Sequence, residues 1–258
     1  MIFSIANVHV AFARNILAQK SLKSALAGLF THTAAPRFLA LNDVSLEIGE
    51  SEHVGVIGRN GAGKSTLLRV LAGVIAPQEG TVFAASGKHI VPLLELGIGF
   101  HPDLSGRENC YLAGSLMGYS IRELDGRIPS IIRFSELEEF IDEPVKGYSS
   151  GMYARLAFAL ATDVEPEVLL VDEVFGVGDE FFMRKCIVRM QRLMKAGATT
   201  VFVSHNLDFL VAQCDRLIWL DRGRIVADGK PSEVAAEYRR AEGSHSIRHG
   251  SAGSAVRT

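Results

Sequence analysis

A glycine-rich turn between an apolar strand and a helix constrains this chain more than any other feature of its sequence. The turn fits the pattern GxxxxGK(S/T) and consists of Gly58, Arg59, Asn60, Gly61, Ala62, Gly63, Lys64, Ser65 and Thr66. Glycines let consecutive backbone N–H groups point inward around an anion, and the N-terminus of the following helix adds positive potential. Lys64 is placed to contact the β- and γ-phosphates of a nucleotide, and the Ser65 hydroxyl to ligate Mg²⁺. These residues predict a phosphate-binding loop.

The other apolar segments alternate between strand and helix patterns, which is typical of an α/β domain with a largely parallel sheet. Strands are predicted at residues 2–10, 41–48, 53–57, 168–171 and 199–204, and a helix at 64–72. The turn Asp221-Arg222-Gly223 predicts a hairpin of residues 216–220 and 224–227. Residues 231–241 are predicted to form a last helix, because proline is tolerated in a first helical turn.

Helical periodicity replaces the strand patterns between residues 107 and 161. We therefore predict one domain, residues 1–241, with a helical subdomain of about residues 92–165 inserted into the α/β core. Residues 242–258 are rich in Ser, Gly and His and are predicted to be a disordered tail. Residues 14–30 carry apolar side chains at helical spacing with a few basic ones. This segment is interpreted as a helix that covers its own domain, lies on a membrane surface or docks on a partner.

Charge and cysteine usage exclude several classes of protein. The 258 residues contain 27 Lys and Arg against 29 Asp and Glu, a net charge of −2, so no global field favours nucleic acid as a partner. Cys110, Cys186 and Cys214 are widely spaced and are predicted to be buried, reduced thiols. The N-terminus lacks the pattern of a signal peptide, and no apolar stretch approaches the length of a membrane span. We expect any membrane role to require another chain.

Acidic and histidine side chains follow two of the predicted buried strands. Asp172 and Glu173 come directly after the apolar run VLLV, where Asp172 would face the Mg²⁺ held by Ser65. Glu173 is placed to act as the general base on an attacking water, although two acids here could also cap the next helix. His205 follows the strand at 199–204, which we expect to neighbour the Asp172 strand. It is interpreted as a γ-phosphate contact or a residue that orients Glu173, against a purely structural role.

A second anion-binding surface is predicted at the segment Tyr148-Ser149-Ser150-Gly151-Met152, which opens a helix at residues 153–161. Because this segment lies in the helical subdomain, it cannot easily close on its own phosphate loop, and it suits the nucleotide of a second copy. The Asn-Lys-x-Asp pattern of a GTPase is not found in the sequence.

In their order, GRNGAGKST, YSSGM, VLLVDE and SH resemble the nucleotide-binding subunit of an ATP-binding cassette (ABC) transporter, over about residues 1–240. The resemblance implies a P-loop NTPase fold with a RecA-like core sheet, an antiparallel β subdomain and an inserted helical subdomain. It also implies a head-to-tail homodimer that holds two ATP molecules with Mg²⁺. Ser149 and Gly151 would contact the γ-phosphate across the dimer, and Asp179 would belong to the loop that links the two sites.

Departures from the general ABC pattern are similar to those of exporters of lipid-linked polysaccharide, such as O-antigen, capsule or teichoic acid. Ser150 and Met152 replace the usual Gly and Gln of the signature, and Gly-Val-Gly-Asp, ending at Asp179, replaces Ser-Ala-Leu-Asp. The block ELGIGFHPDLSGREN, residues 95–109, stands where a Gln is expected, with His101 as the candidate substitute. Phe12 falls where an aromatic residue stacks on adenine, or alternatively is a core residue of its strand.

The resemblance implies that two copies assemble with an integral membrane permease in a 2+2 complex, peripheral to the cytoplasmic face of the inner membrane. The region of residues 95–104 is expected to contact the permease. Two alternatives stay open. One is an ABC transporter ATPase for a different cargo, such as a drug or lipid. The other is a soluble ABC ATPase outside transport, although the long coiled coil or tandem cassettes of such proteins are not found in the sequence.

Overall fold

The computed structural model describes residues 1–13, 37–94, 97, 99–163, 166–172 and 179–250. Residues 14–30, for which three roles are predicted, lie outside these described residues, and so does Glu173. No described helix is both long enough and apolar enough to cross a lipid bilayer.

Strands and helices alternate along most of the described chain. The strands are β1 (Phe3–Ala13), β2 (Arg37–Ile48), β3 (His53–Ile57), β4 (Glu79–Ala84), β5 (Ile90–Leu93), β6 (Val168–Asp172), β7 (Thr199–Val203), β8 (Arg216–Asp221) and β9 (Arg224–Gly229). The helices are α1 (Lys64–Leu71), α2 (Gly106–Leu116), α3 (Ile121–Ser135), α4 (Ser150–Asp163), α5 (Glu180–Lys195), α6 (Leu207–Gln213) and α7 (Pro231–Gly250). A short 3₁₀ turn, Val145–Gly147, precedes α4.

Two sheets form the α/β part of the molecule. Strands β2, β1 and β4 make an antiparallel sheet in that order, and a six-stranded sheet has the order β5-β6-β7-β3-β8-β9. The pairings from β5 to β8 are parallel, and β8 pairs with β9 as the predicted antiparallel hairpin. Strands β3, β6 and β7 are almost wholly buried, as expected of parallel strands covered on both faces. The predicted fold class is confirmed.

Helices α2, α3 and α4 lie between β5 and β6, within the segment predicted to be a helical insertion. Both α2 and α3 begin with a capping box, Ser105 with Glu108 and Ser120 with Glu123, which satisfies backbone N–H groups that a helix start leaves unpaired. The three helices pack around a core of their own, which includes Cys110, Leu124, Ile128, Leu156 and Leu160. This core makes the helical part a separate packing unit.

The structure contains two helices that were not predicted, α5 and α6, and it differs from the predicted elements at α7, β4 and β5 as well. Helix α7 continues to Gly250, past the predicted end at residue 241 and through the first residues of the predicted tail. Tyr238 packs edge-on against Trp219 and donates a hydrogen bond of 2.9 Å to Glu242, one turn further along the helix. Strands β4 and β5 were not predicted: β4 is exposed throughout, and β5 has only four residues and contains Pro92.

Candidate functional site

The glycine-rich loop connects the end of β3 to the start of α1, as predicted. Gly63 is the N-cap residue of α1 and has a φ of 107°, a conformation that L side chains rarely adopt. A Cβ atom at this position would lie 2.3 Å from the Ala40 carbonyl oxygen, so a side chain there would collide with the β2 backbone. The loop is therefore held against the antiparallel sheet, and only glycine fits at its last position before Lys64.

Lys64 is buried at the N-terminus of α1, with only 6% of its surface exposed. Its Nζ donates hydrogen bonds to the carbonyl oxygens of Gly58, at 2.7 Å, and Arg59, at 3.2 Å. These bonds place the ammonium group inside the curve of the loop. A fixed positive charge beside inward-pointing N–H groups is the arrangement that binds a polyphosphate.

Two cavities flank the loop. The smaller one, about 180 Å³, is lined by Phe12, Phe38, Ala40, Asn60, Gly61, Gly63, Lys64, Ser65 and Thr66. The larger one, about 490 Å³, is lined by Gly58, Arg59, Asn60, Gly61, Ala62, His205, Asp221, Arg222, Tyr238 and Glu242. The structure thus brings every residue of the loop to a cavity, and it also brings His205 beside the loop.

Phe12 and Phe38 are directly opposite each other on β1 and β2 and line the smaller cavity together. They are 42% and 49% exposed, which is unusual for large apolar rings and contradicts the alternative of Phe12 as a core residue. Phe38 is a site residue that was not predicted from the sequence. Only the register of the β1–β2 pair places Phe38 beside Phe12. That register cannot be predicted from the sequence, because 23 residues, 14–36, separate the two strands.

Asp172 is the last residue of β6 and pairs with Val203 of β7, so the predicted neighbourhood of these two strands is confirmed. Its Oδ1 atom is buried and has no hydrogen-bond partner among the residues that the structure describes. A buried carboxylate oxygen without a donor is the kind of group that a divalent cation ligates. Asp172 thus offers a ligand for a hard cation at the carboxyl ends of the parallel strands, the edge of the sheet from which the loop with Ser65 also starts.

Ser149, Gly151 and Asp179 do not line either of the two cavities, as far as the described residues define them. Ser149 is exposed and caps α4, because its Oγ accepts a hydrogen bond of 3.2 Å from the Met152 N–H. Asp179 caps α5 by accepting from the Phe182 N–H at 2.9 Å, and it also forms an ion pair with Arg155 of α4. The Phe182 N–H is the main reason that the pKa of Asp179 is lowered, with Arg155 adding to the effect.

Asn109 is a residue that sequence reasoning missed. It is fully buried in α2, and its Nδ2 donates to the carbonyl oxygens of His101 (3.1 Å), Leu104 (3.0 Å) and Ser105 (2.9 Å). Its Oδ1 accepts from the His101 N–H at 2.6 Å. His101 is thus placed by its backbone on α2 and does not line either cavity beside the loop. Only the folded loop reveals this role, because an asparagine in a helical sequence carries no pattern for it.

A glycine loop around a buried lysine, with an unpaired aspartate oxygen at the end of a nearby strand, defines a P-loop nucleoside triphosphatase. The chain belongs to the ABC transporter family, whose sequence model matches residues 41–176. The predicted family and the predicted ABC ATPase activity are confirmed.

Curated relatives extend the match beyond that segment. The chain is 50% identical over 202 residues to an O-antigen export system ATP-binding protein, RfbB, of Myxococcus xanthus, covering 78% of this chain and 46% of that protein. It is 48% identical over 205 residues to an RfbB of Klebsiella pneumoniae, covering 80% and 82%. It is 39% identical over 236 residues to the teichoic acids export ATP-binding protein TagH of Listeria innocua, covering 91% and 69%. These names agree with the predicted polysaccharide-export branch.

Solved structures share the fold at low sequence identity. One is the ATP-binding cassette MJ0796, solved as a dimer in a post-hydrolysis state bound to ADP and Pi, with a TM-score of 0.70 and 22% identity over 89% of this chain and 99% of that one. Another is the ATP-binding subunit of an ABC transporter, with a TM-score of 0.72 and 23% identity over 92% and 93%.

Proposed function

We propose that this chain is the ATP-hydrolysing subunit of an ABC exporter that moves a lipid-linked polysaccharide across the cytoplasmic membrane. The observation that carries the ATPase part is the loop around Lys64 with the unpaired Asp172 oxygen near it. The cargo is supported by relatives named for O-antigen and teichoic acid export.

In this proposal the triphosphate lies on the loop and the adenine lies on Phe12. Support comes from the smaller cavity, which joins the exposed rings of Phe12 and Phe38 to Lys64, Ser65 and Thr66. An aromatic face stacks on any base, so base selectivity would be weak. Lys64 would neutralise charge on the β- and γ-phosphates while the backbone N–H groups of the loop donate to their oxygens.

Ser65 and Asp172 would hold Mg²⁺ beside the phosphates. When bound, the cation neutralises phosphate charge and helps to orient the terminal phosphate for in-line attack. Support on this chain is the Asp172 oxygen that no described residue pairs, together with the Ser65 position in the cavity wall.

Glu173 is the proposed general base that takes a proton from the attacking water. It lies outside the described residues, and its support is its position directly after Asp172 in the sequence. His205 is proposed to donate a hydrogen bond to the γ-phosphate or to orient Glu173. Its support is its place in the larger cavity, opposite loop residues Gly58 to Ala62.

Two copies are proposed to bind head to tail, with Ser149 and Gly151 of one copy on the γ-phosphate of the other. Ser149 is exposed at the start of α4, where N–H groups point away from the helix, and it lines neither cavity of its own chain among the described residues. The dimeric MJ0796 cassette shows that this fold pairs in at least one protein. Asp179 would lie in the segment that links the two nucleotide sites.

The ATPase dimer is proposed to bind a dimeric integral membrane permease at the cytoplasmic face of the membrane, through the region of residues 95–104. Hydrolysis would remove the γ-phosphate that bridges the two copies, and the reopening of the dimer would be transmitted to the permease.

Copurification of the parent chain with the membrane protein encoded beside it tests the cargo. A permease for a drug or a simple lipid would contradict the polysaccharide proposal and favour the alternative cargo.

Replacing Glu173 by Gln tests the catalytic proposal directly. We expect ATP binding to persist and turnover to fall by about 10²- to 10⁴-fold, the usual contribution of a general base. The variant should also accumulate as a dimer in Mg-ATP, because the bridging phosphate is not removed. Turnover is measured by phosphate release, and mass by light scattering after size exclusion.

The matched control is Glu180→Gln, which changes an exposed glutamate that pairs only locally with Arg184 at 2.7 Å. It should turn over ATP at the parent rate. Parent-level turnover in the Glu173 variant would remove Glu173 from its proposed role. A variant that binds ATP but stays monomeric would contradict the head-to-tail dimer.

A further inference from the structure

Gly97 and residues 99–105 lie between β5 and α2 in the chain and are hydrogen-bonded to helices of the helical subdomain. At the far end of this segment, buried Asn109 of α2 holds the backbone of His101, Leu104 and Ser105 through four hydrogen bonds. At its near end, the segment contacts α4 instead. It is therefore attached to two helices of the same packing unit.

Tyr153 makes the contact with α4. Its hydroxyl donates a hydrogen bond of 3.0 Å to the Gly97 carbonyl, which also accepts the Phe100 N–H at 2.9 Å. The Phe100 ring meets the Tyr153 ring edge-on, with centroids 5.2 Å apart and an interplanar angle of 65°. Burial raises the pKa of Tyr153, so its hydroxyl remains a donor at neutral pH. Tyr153 thus binds the carbonyl that closes the turn of residues 97–100, and its ring packs against Phe100 in the same turn.

Gly97 is required by this contact. Its φ is 83°, and a Cβ atom there would lie 2.2 Å from Cε1, 2.5 Å from Cζ and 2.6 Å from the hydroxyl of Tyr153. All three of the nearest atoms belong to that one ring, so Tyr153 occupies the space that any side chain at residue 97 would need.

Tyr153 also lies one helical turn from Ser149, since the Tyr153 N–H donates to the Ser149 carbonyl at 3.0 Å. We propose that Tyr153 is a positioning residue that ties residues 97–105 to the first turn of α4, so that a nucleotide-driven shift of that turn moves the segment with it. This inference rests on the proposed function, in which Ser149 meets nucleotide and residues 95–104 meet the permease. The inference adds Tyr153 as the side chain that connects the start of α4 to the segment proposed to meet the permease.

The test is amide hydrogen exchange on the full chain carrying Glu173→Gln, with ATP and Mg²⁺ or with ADP. Exchange is followed in residues 149–156 and in residues 97–105. Tyr153→Phe removes only the hydrogen bond, Tyr153→Leu removes the ring as well, and Gly97→Ala introduces the collision. Gly118→Ala is the matched control, because Gly118 also has a positive φ, 93°, but a Cβ atom there would meet nothing within 4 Å.

Without nucleotide, we expect Tyr153→Phe to speed exchange in residues 97–105 by about fivefold, the loss of one ordinary hydrogen bond. With ATP, exchange should slow in both segments of the parent and of Gly118→Ala. In the Tyr153 and Gly97 variants only residues 149–156 should still respond. The double variant Gly97→Ala with Tyr153→Leu removes the collision but not the strain of an alanine at positive φ. It should therefore regain the part of the stability that the collision costs, yet still lack the response of residues 97–105.

An undiminished ATP response of residues 97–105 in Tyr153→Leu would overturn the inference and leave the proposed function intact. The same holds if the parent responds at residues 149–156 alone. If neither segment of the parent responds to ATP, the nucleotide-sandwich dimer fails, and this inference fails with it.

Discussion

The Lys64 side chain and one carboxylate oxygen of Asp172 are buried. The Lys64 ammonium is bound to loop carbonyls, and the Asp172 Oδ1 atom lacks a described partner. An unpaired buried oxygen costs about 1–3 kcal/mol, so a cation at this place would recover free energy that the fold alone gives up. The site is therefore arranged for its ligands at some expense to the stability of the fold.

The three cysteines are buried and free, in agreement with the sequence, and burial raises the pKa of each thiol from 9.0 to about 12. Because the pKa of each thiol is higher in the folded state, the thiols contribute fully to folding stability below pH 9. That contribution is lost as the pH rises toward 12. The unfolded chain ionises first in that window.

We therefore expect the urea midpoint of unfolding to fall between pH 7.5 and pH 10.5. Lysines and tyrosines titrate there too, so the comparison is with Cys110→Ala, which should lose less stability over the same interval. Parallel pH dependence in both proteins would refute a contribution from the Cys110 thiol.

At the scale of elements, residues 99–105 before α2 contain no strand or helix and are hydrogen-bonded to Asn109. The carbonyl oxygens of His101, Leu104 and Ser105 each also accept a backbone N–H, so the Asn109 amide adds a second donor to each. A side chain that supplies two N–H donors and one oxygen acceptor satisfies the loop where an apolar residue cannot.

Asn109→Ala is expected to lower the free energy of unfolding by about 2–4 kcal/mol, since it removes four hydrogen bonds and leaves the His101 N–H without its acceptor. Asn206→Ala is the matched control. Asn206 caps α6 at an exposed position, with one bond of 2.9 Å to the Phe209 N–H, so its loss should cost about 1 kcal/mol. Urea unfolding measures both, and equal losses would show that Asn109 acts only as an ordinary helix residue.

At the scale of the whole molecule, the features predicted to bind one nucleotide lie on different packing units. The phosphate loop follows β3 of the α/β core, while Ser149 begins a helix that packs partly in the helical subdomain and partly on the six-stranded sheet. A head-to-tail pair would bring a loop from one copy to a helix start from the other, and it would form two equal sites.

Complementation between two inactive variants tests that arrangement. Lys64→Ala should lack nucleotide binding, and Ser149→Phe should bind ATP without pairing productively. In a mixed dimer, the intact loop of the Ser149 variant faces the intact Ser149 of the Lys64 variant, so one of two sites is restored. Random mixing should then recover about a quarter of the parent ATPase rate.

Phosphate release is measured for each variant alone and for the equal mixture. Lys230→Ala, an exposed lysine at the start of α7, is the control for charge loss and should keep the parent rate. Thermal unfolding curves check that both variants are folded. If they are, and ATPase activity still does not recover on mixing, then Ser149 and Lys64 do not meet across copies.

The sequence by itself determined the phosphate loop, the buried parallel strands and the order of the family's motifs. These features depend on glycines and apolar residues within short continuous stretches of the chain, so they do not require contacts between distant residues. Tertiary structure alone decided the rest. The Phe12–Phe38 pair depends on strand register, the roles of Asn109 and Tyr153 depend on a loop folding back onto helices, and β4 is held by pairing with β1 rather than by its own composition. Those contacts join residues far apart in the chain, and the energy that stabilises them comes from burial and pairing that no local pattern records.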